Sequence, residues 1–215
     1  MDSPRLCVYK GCGSTPRSSG FCSTHSEKLQ SLIEWTIQYP SSPQRLADLA
    51  DFYYKIQNFP KAEELWKRAS EFETNFRKKG LWINNMATAV YNQQERRIEA
   101  RQLIRQAIDI YPSFGTAHLN YGRWSWEQGD YVQAEEHLRV AAELLDSDAD
   151  AQWEFGWFLN SLLKKPHEAQ IFLKRAVELK PGPNKFSQTL KSCERAIRRE
   201  EALNQVRGFL SRRTR

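Results

Sequence analysis

The chain has 215 residues, 40% of them apolar or aromatic and 27% charged, with a net charge of +6 and seven tryptophans. These values exclude disorder over the whole length and allow either one ordinary domain or an elongated array with a small appendage. The start, MDSPRLCVYKG, carries no apolar run of signal-peptide length, and FGWFLNSLL (155–163) is too short to span a bilayer, so the expectation is a soluble cytoplasmic protein without membrane contact.

The first element in chain order is CVYKGCGSTPRSSGFCSTH, residues 7–25, which concentrates three of the four cysteines and one of the four histidines. Cys7, Cys12, Cys22 and His25 are spaced C-x4-C-x9-C-x2-H, close to the range of structural zinc sites. Gly11 and Gly13 flank Cys12, where a tight knuckle needs permissive backbone, and Lys10 and Arg17 would offset part of the thiolate charge. Cys22 and His25 stand three apart at the start of an expected helix, so both can face one metal. A complete set of four ligands leaves no place for water, which points to a structural ion, Zn2+, rather than to hydrolysis. Two readings compete with zinc: a disulfide pair plus a free thiol would require an oxidising compartment, and a catalytic cysteine would require a base and an orienting partner.

This segment resembles the short Cys3His knuckles attached to nucleases and DNA-associated proteins. It is also similar to ubiquitin-binding fingers of the GCG…GFCS type, from which it departs by having His25 in place of a fourth cysteine and a shorter central gap. The domain of residues 1–27 is followed by a connecting helix, 28–42, whose Leu29, Leu32, Ile33 and Ile37 recur at helical spacing and are expected to dock on the first helix pair of the array. The knuckle would then cap the array or recognise a partner.

Residues 43–182 contain four segments with a small residue at each end of an eight-residue frame: AEELWKRA, ARQLIRQA, AEEHLRVA and AQIFLKRA. Their closing alanines, Ala69, Ala107, Ala141 and Ala176, are 38, 34 and 35 residues apart. Each is preceded by a second helical segment, and prolines such as Pro112 and Pro181 close units. A helix pair of this kind cannot bury its apolar faces alone and must stack on its neighbours, with the alanines where backbones approach. Trp66 and Trp124 fall at positions expected in the core.

The pattern resembles the tetratricopeptide repeat (TPR), most clearly in HLNYGRWSWEQGDYVQAEEHLRVAAEL, with Gly122 in the first helix and Gly129-Asp130-Tyr131 in the turn. The second copy departs from it with Thr88 at the small first-helix position and four additional residues before it; the fourth has one additional residue in its turn. ARQLIRQAIDIYP is also similar to the half-repeat variant of RNA-processing scaffolds. The resemblance implies an all-α superhelical array of about four helix hairpins, with a small zinc-binding module before it and a capping helix after it. It further implies a concave groove lined by first-helix side chains, here Tyr54, Trp82, Asn85, Asn92, Arg123, Trp126, Trp153 and Trp157. Such a groove suits a peptide or protein segment, although some of these rings would instead pack between helices.

Residues 183–215 hold nine basic residues against three acids, which accounts for the whole net charge. Phe186, Leu190, Cys193 and Ile197 mark one apolar stripe of a terminal capping helix, and GFLSRRTR after it is expected to fray. Arg198, Arg199, Arg212 and Arg213, together with the knuckle, could contact the phosphates of a nucleic acid while the repeats hold a protein, giving a second reading as a scaffold of RNA or DNA processing; a solvated face is the plainer alternative. None of G-x4-G-K-[ST], G-x-S-x-G, H-E-x-x-H or G-x-G-x-x-G is present, so no enzymatic activity is expected. The reading from sequence is therefore a scaffold that binds a protein, with a structural zinc ion.

Overall fold

Alanines and glycines at the helix contacts, with aromatic and leucine side chains filling the space between, yield ten consecutive helices in a computed structural model that describes residues 7–10, 12–13 and 20–213, with side chains to Arg207. Gly11 and Arg17 lie outside the described residues. The helices are α1 (Ser23–Gln38), α2 (Pro43–Lys55), α3 (Phe59–Phe72), α4 (Phe76–Tyr91), α5 (Arg97–Ile110), α6 (Gly115–Glu127), α7 (Tyr131–Leu144), α8 (Ala149–Ser161), α9 (Pro166–Leu179) and α10 (Lys185–Arg213). They form two compact units that meet in sequence at Pro112 and Ser113.

Helix starts follow local chemistry. Asn58, Asn75, Asp130 and Asp148 accept hydrogen bonds from first-turn amides of α3, α4, α7 and α8, and prolines stand in the first turns of α2, α3 and α9. The turn inside each hairpin calls for a left-handed residue. Gly129 provides it at φ 80°, whereas Gln57 at φ 62° and Lys164 at φ 55° carry side chains into a region that disfavours them. Between α4 and α5 a short 3₁₀ turn, Gln94–Arg96, takes the connection instead, pinned by Arg96, which donates to Glu63 on α3 and Glu99 on α5.

In the first unit α2 pairs with α3, and α4 with α5, while α1 lies on α2. Leu46, Leu49, Ala50, Phe52, Ala62, Leu65, Trp66 and Ala69 form its core. Leu32 of α1 is buried there, with Leu29 and Ile33 packed alongside, but Ile37 is 73% exposed: the last turn of α1 runs past its support, so only three of the four expected positions dock. Where the second copy lacks a small residue at Thr88, Gly80 lets α4 approach α5, an added Cβ there standing 3.0 Å from Cβ of Tyr111. Thr88 itself is half-buried and donates to the Asn84 carbonyl at 3.0 Å.

In the second unit α6 pairs with α7, α8 with α9, and α10 covers α9. Phe155, Phe158, Leu138, Leu159 and Leu173 are fully buried. Phe186, Cys193 and Ile197 are buried and Leu190 is packed beside them, as the apolar stripe requires; the Cys193 thiol donates to the Pro166 carbonyl at 3.1 Å. Helix α10 continues through Gly208 to Arg213, beyond the point at which the sequence suggests fraying. All eight framing alanines, Ala62, Ala69, Ala100, Ala107, Ala134, Ala141, Ala169 and Ala176, are completely buried.

The glycine contacts give a direct check on this packing. A Cβ on Gly156 would lie 2.7 Å from Cγ of Leu173 and 3.2 Å from the Ala169 carbonyl oxygen. Leu173 is itself fully buried and has no solvent to swing into. Overpacking costs about 1–3 kcal/mol, against a helix-propensity gain of roughly 1 kcal/mol for Gly to Ala. Gly156→Ala is therefore expected to lower stability by up to about 2 kcal/mol in urea titration; a stabilised variant would contradict the close approach of α8 and α9.

Candidate functional site

The N-terminal segment brings its four donors together. Cys22 caps α1 and His25 follows in the first turn, so their proximity comes from the helix start; Cys7 and Cys12 are brought in by the preceding turns. Nδ1 of His25 lies 3.1 Å from Sγ of Cys22 and 3.6 Å from Sγ of Cys7, Sγ of Cys12 lies 3.9 Å from Sγ of Cys22, and all four ligand atoms fall within 4.8 Å of one another. Donors placed tetrahedrally around zinc stand roughly 3.4–3.8 Å apart, so a set gathered within 4.8 Å is compatible with one ion after small shifts, with His25 offering Nδ1. None of the sulfur separations is that of a disulfide, and all the cysteines are free. The amide of Cys22 donates to Sγ of Cys7 at 3.4 Å, the kind of bond that stabilises a thiolate.

The segment is joined to the first helix pair rather than tethered to it. Tyr9 stacks on His25 with 3.9 Å between ring centroids, and Tyr9 and Phe21 both pack against Phe52 of α2. The amide of Lys10 donates to the Lys55 carbonyl at the end of α2, and Val8 to Gly20 across the knuckle.

The expected groove residues fall into two groups. On the first unit Tyr54 is half-buried, its hydroxyl accepting from the amide of Asn92 at 3.2 Å, and Asn85 accepts from the amide of Asn84 at 3.1 Å. Trp82 does not join them: at 5% exposure it belongs to the core with Ile83 and Met86, because α4 turns that position inward. Trp66 and Trp124 are buried, in keeping with their expected core positions.

On the second unit Trp126, Trp153 and Trp157 are all half-buried. Trp126 and Trp157 stand 5.1 Å apart and tilted, with Trp126 parallel to the buried ring of Phe158 at 5.9 Å. Trp153 is committed to the terminal helix: its indole N–H donates to the Thr189 hydroxyl at 2.9 Å and the ammonium of Lys185 lies 4.1 Å above its ring. Arg123 forms a two-pronged bond with the carboxylate of Glu154, a buried acid whose pairing was not read from the sequence. The carbonyl oxygen of Asn160, next to this cluster on α8, is buried without a hydrogen-bond partner.

Arg198 and Arg199 are exposed on α10, and neither forms an ion pair among the described residues. The side chains of Arg212 and Arg213 lie outside the described residues. No helix of the described residues is long and apolar enough to cross a membrane.

No protein-family model matches the chain. The human protein O-mannosyl-transferase TMTC3 is 33% identical over 98 residues, covering 45% of this chain and 11% of that protein, so the chain spans a small part of that relative's length. Among solved structures, TTC0263, a thermophilic TPR protein of Thermus thermophilus, aligns with a TM-score of 0.60 and 20% identity over 79% of this chain and 90% of that one. YrrB, described as a TPR protein with an unusual peptide-binding site, aligns with a TM-score of 0.57 and 14% identity over 79% and 84%. At these identities the likeness is one of fold, and the fold is the all-helical, TPR-like succession of hairpins.

Proposed function

We propose that the chain is a protein-interaction scaffold that holds a peptide segment through first-helix side chains of its hairpins, and that Cys7, Cys12, Cys22 and His25 hold one structural zinc ion. The observation that carries the interaction reading is the Trp126–Trp157 pair: large rings, half-buried, with Trp126 lying parallel to the buried ring of Phe158. Rigid aromatic side chains bury large area at low entropic cost. Tyr54, Asn85 and Asn92 are the corresponding candidates on the first unit, and the peptide-binding description of YrrB supports the same use of the fold. Trp153, tied to Thr189, shapes the surface, and Arg123, neutralised by Glu154, contributes orientation rather than charge.

Selection from a random peptide library on the full chain tests this. Peptides recovered with wild type should bind the Trp126→Ala, Trp157→Ala double variant at least roughly 30-fold more weakly, since an aromatic hot spot contributes about 2 kcal/mol or more. Unchanged affinity would remove the aromatic pair from the recognition surface. A second reading, phosphate contact by a nucleic acid, has the exposed, unpaired Arg198 and Arg199 in its favour. It requires affinity that falls steeply with salt and weakens when both are neutralised.

Zinc, when bound, supplies structural cross-linking. The chain's own residues provide three sulfurs and one imidazole nitrogen, and Tyr9, stacked on His25 and tilted against Phe52, connects that centre to α2.

A further inference from the structure

A cavity of about 260 Å3 opens on the first unit, lined by Asp51, Tyr54 and Lys55 of α2, Trp66 of α3, and Asn85 and Thr88 of α4. Its aromatic wall is rigid. Trp66 is buried, the Tyr54 ring lies 5.5 Å from it, and the bond from Asn92 holds the Tyr54 hydroxyl. On the α4 side the hydroxyl hydrogen of Thr88 is directed to the Asn84 carbonyl, which leaves its oxygen as an acceptor toward the cavity. The indole N–H of Trp66 is buried on the Asp51 side and closes no hydrogen bond of good geometry.

The cavity lining holds one acid, Asp51, and one base, Lys55. Asp51 stands at the solvent-accessible mouth and forms no ion pair among the described residues. Asp48, one turn earlier on α2, adds to the negative potential, while the ammonium of the lining Lys55 lies 5.6 Å above the Tyr9 ring, in a cation–π contact with the knuckle. Burial pushes the Asp51 carboxyl above its ordinary range, with Asp48 acting in the same direction against the smaller opposing effects of Lys55, Trp66 and Lys28. An acidic guest would be repelled by the Asp51 carboxylate. A divalent metal would find one lining carboxylate where hard cations take six or more oxygen ligands. A long alkyl chain ending in a cation matches the aromatic walls and the acid: methylenes on the two rings, charge beside Asp51 with the Lys55 ammonium turned to Tyr9, and an acceptor at Thr88.

We propose that this cavity receives a lysine or arginine side chain of the bound segment, with Asp51 as its counter-ion and Tyr54 and Trp66 as its aromatic walls. The proposal rests on the peptide-binding reading and adds the chemistry of one anchor.

The test has two arms, both with the full chain. In the first, n-butylammonium chloride is titrated into 15N-labelled protein at constant ionic strength while the Trp66 indole resonance, assigned with Trp66→Phe, is followed. The expected result is a saturable shift that n-butanol and sodium butyrate do not produce, weakened at least tenfold in Asp51→Asn and retained in the Trp126→Ala, Trp157→Ala variant. A response equal for butanol, or indifferent to Asp51→Asn with an unchanged circular dichroism spectrum, overturns the proposal. In the second arm, library peptides selected by wild type should carry Lys or Arg at one position, and Asp51→Asn should lose that preference. Peptides that bind without any basic preference would sink the anchor and leave the groove reading standing. Butylammonium binding at Asp51 with no peptide selected would do the reverse, keeping the cation site and removing the groove.

Discussion

Phe158→Ala is expected to destabilise residues 113–215 by about 3–5 kcal/mol, the range for deleting a fully buried phenylalanine, which is a large part of the 5–15 kcal/mol that holds a typical domain folded. The ring is completely buried on α8 and meets Trp126 of α6 and Tyr131 of α7, so its removal opens a cavity touching three helices. In urea the midpoint should fall, by far-ultraviolet circular dichroism, with the slope of the second unit's transition retained. The same variant should weaken peptide binding beyond its effect on folding, because Trp126 loses the surface that orients it. Val132, 77% exposed on the neighbouring helix, supplies the control: Val132→Ala should stay within about 0.5 kcal/mol of wild type. Equal effects from the two substitutions would mean that the second unit is not packed as described.

Cys22→Ser should abolish stoichiometric zinc binding in native mass spectrometry and release the first unit's N-terminal helix. The knuckle has little apolar surface to stand on: beyond the Tyr9 and Phe21 contacts with Phe52, Val8 remains half-exposed. A segment this small depends on its metal, which contributes about 10–16 kcal/mol of apparent binding energy in zinc-finger peptides. The amides of α1 should then exchange with solvent at least roughly 100-fold faster, while the slowest amides of α2–α5, which sit on their own core, keep most of their protection. Cys193→Ser, altering a thiol buried against Pro166, should leave one zinc per chain. Retention of zinc by Cys22→Ser, or unchanged exchange in α1 after metal loss, would remove the ion from the structure's support.

The hairpin frame was legible because its signal is periodic. An alanine at each end of the second helix of every copy is required wherever two backbones approach, and the same requirement recurs about every 35 residues along the chain. The cysteine and histidine spacing was legible for a related reason: a helix start places residues three apart side by side, as Cys22 and His25 are. The aromatic surface was only partly legible. Trp82 and Trp126 occupy first-helix positions that look alike in one dimension, yet one is sealed into the core and the other lies half-open against Trp157. Periodicity reports which way a residue points from its own helix and is silent on whether a neighbour covers that side.

Composition and spacing alone therefore determined the helical class, the hairpin phase and the identity of the four candidate metal ligands, since each follows from near neighbours in sequence. Only the tertiary structure decided that Arg123 is neutralised by Glu154, that Trp153 is tied to α10 through Thr189, that Ile37 stays in solvent, and that the Lys55 ammonium lies over the Tyr9 ring. Most of those partners are about 30 or more residues apart in sequence, and whether an ionic or aromatic side chain is paired, covered or free is a property of what distant segments bring to it.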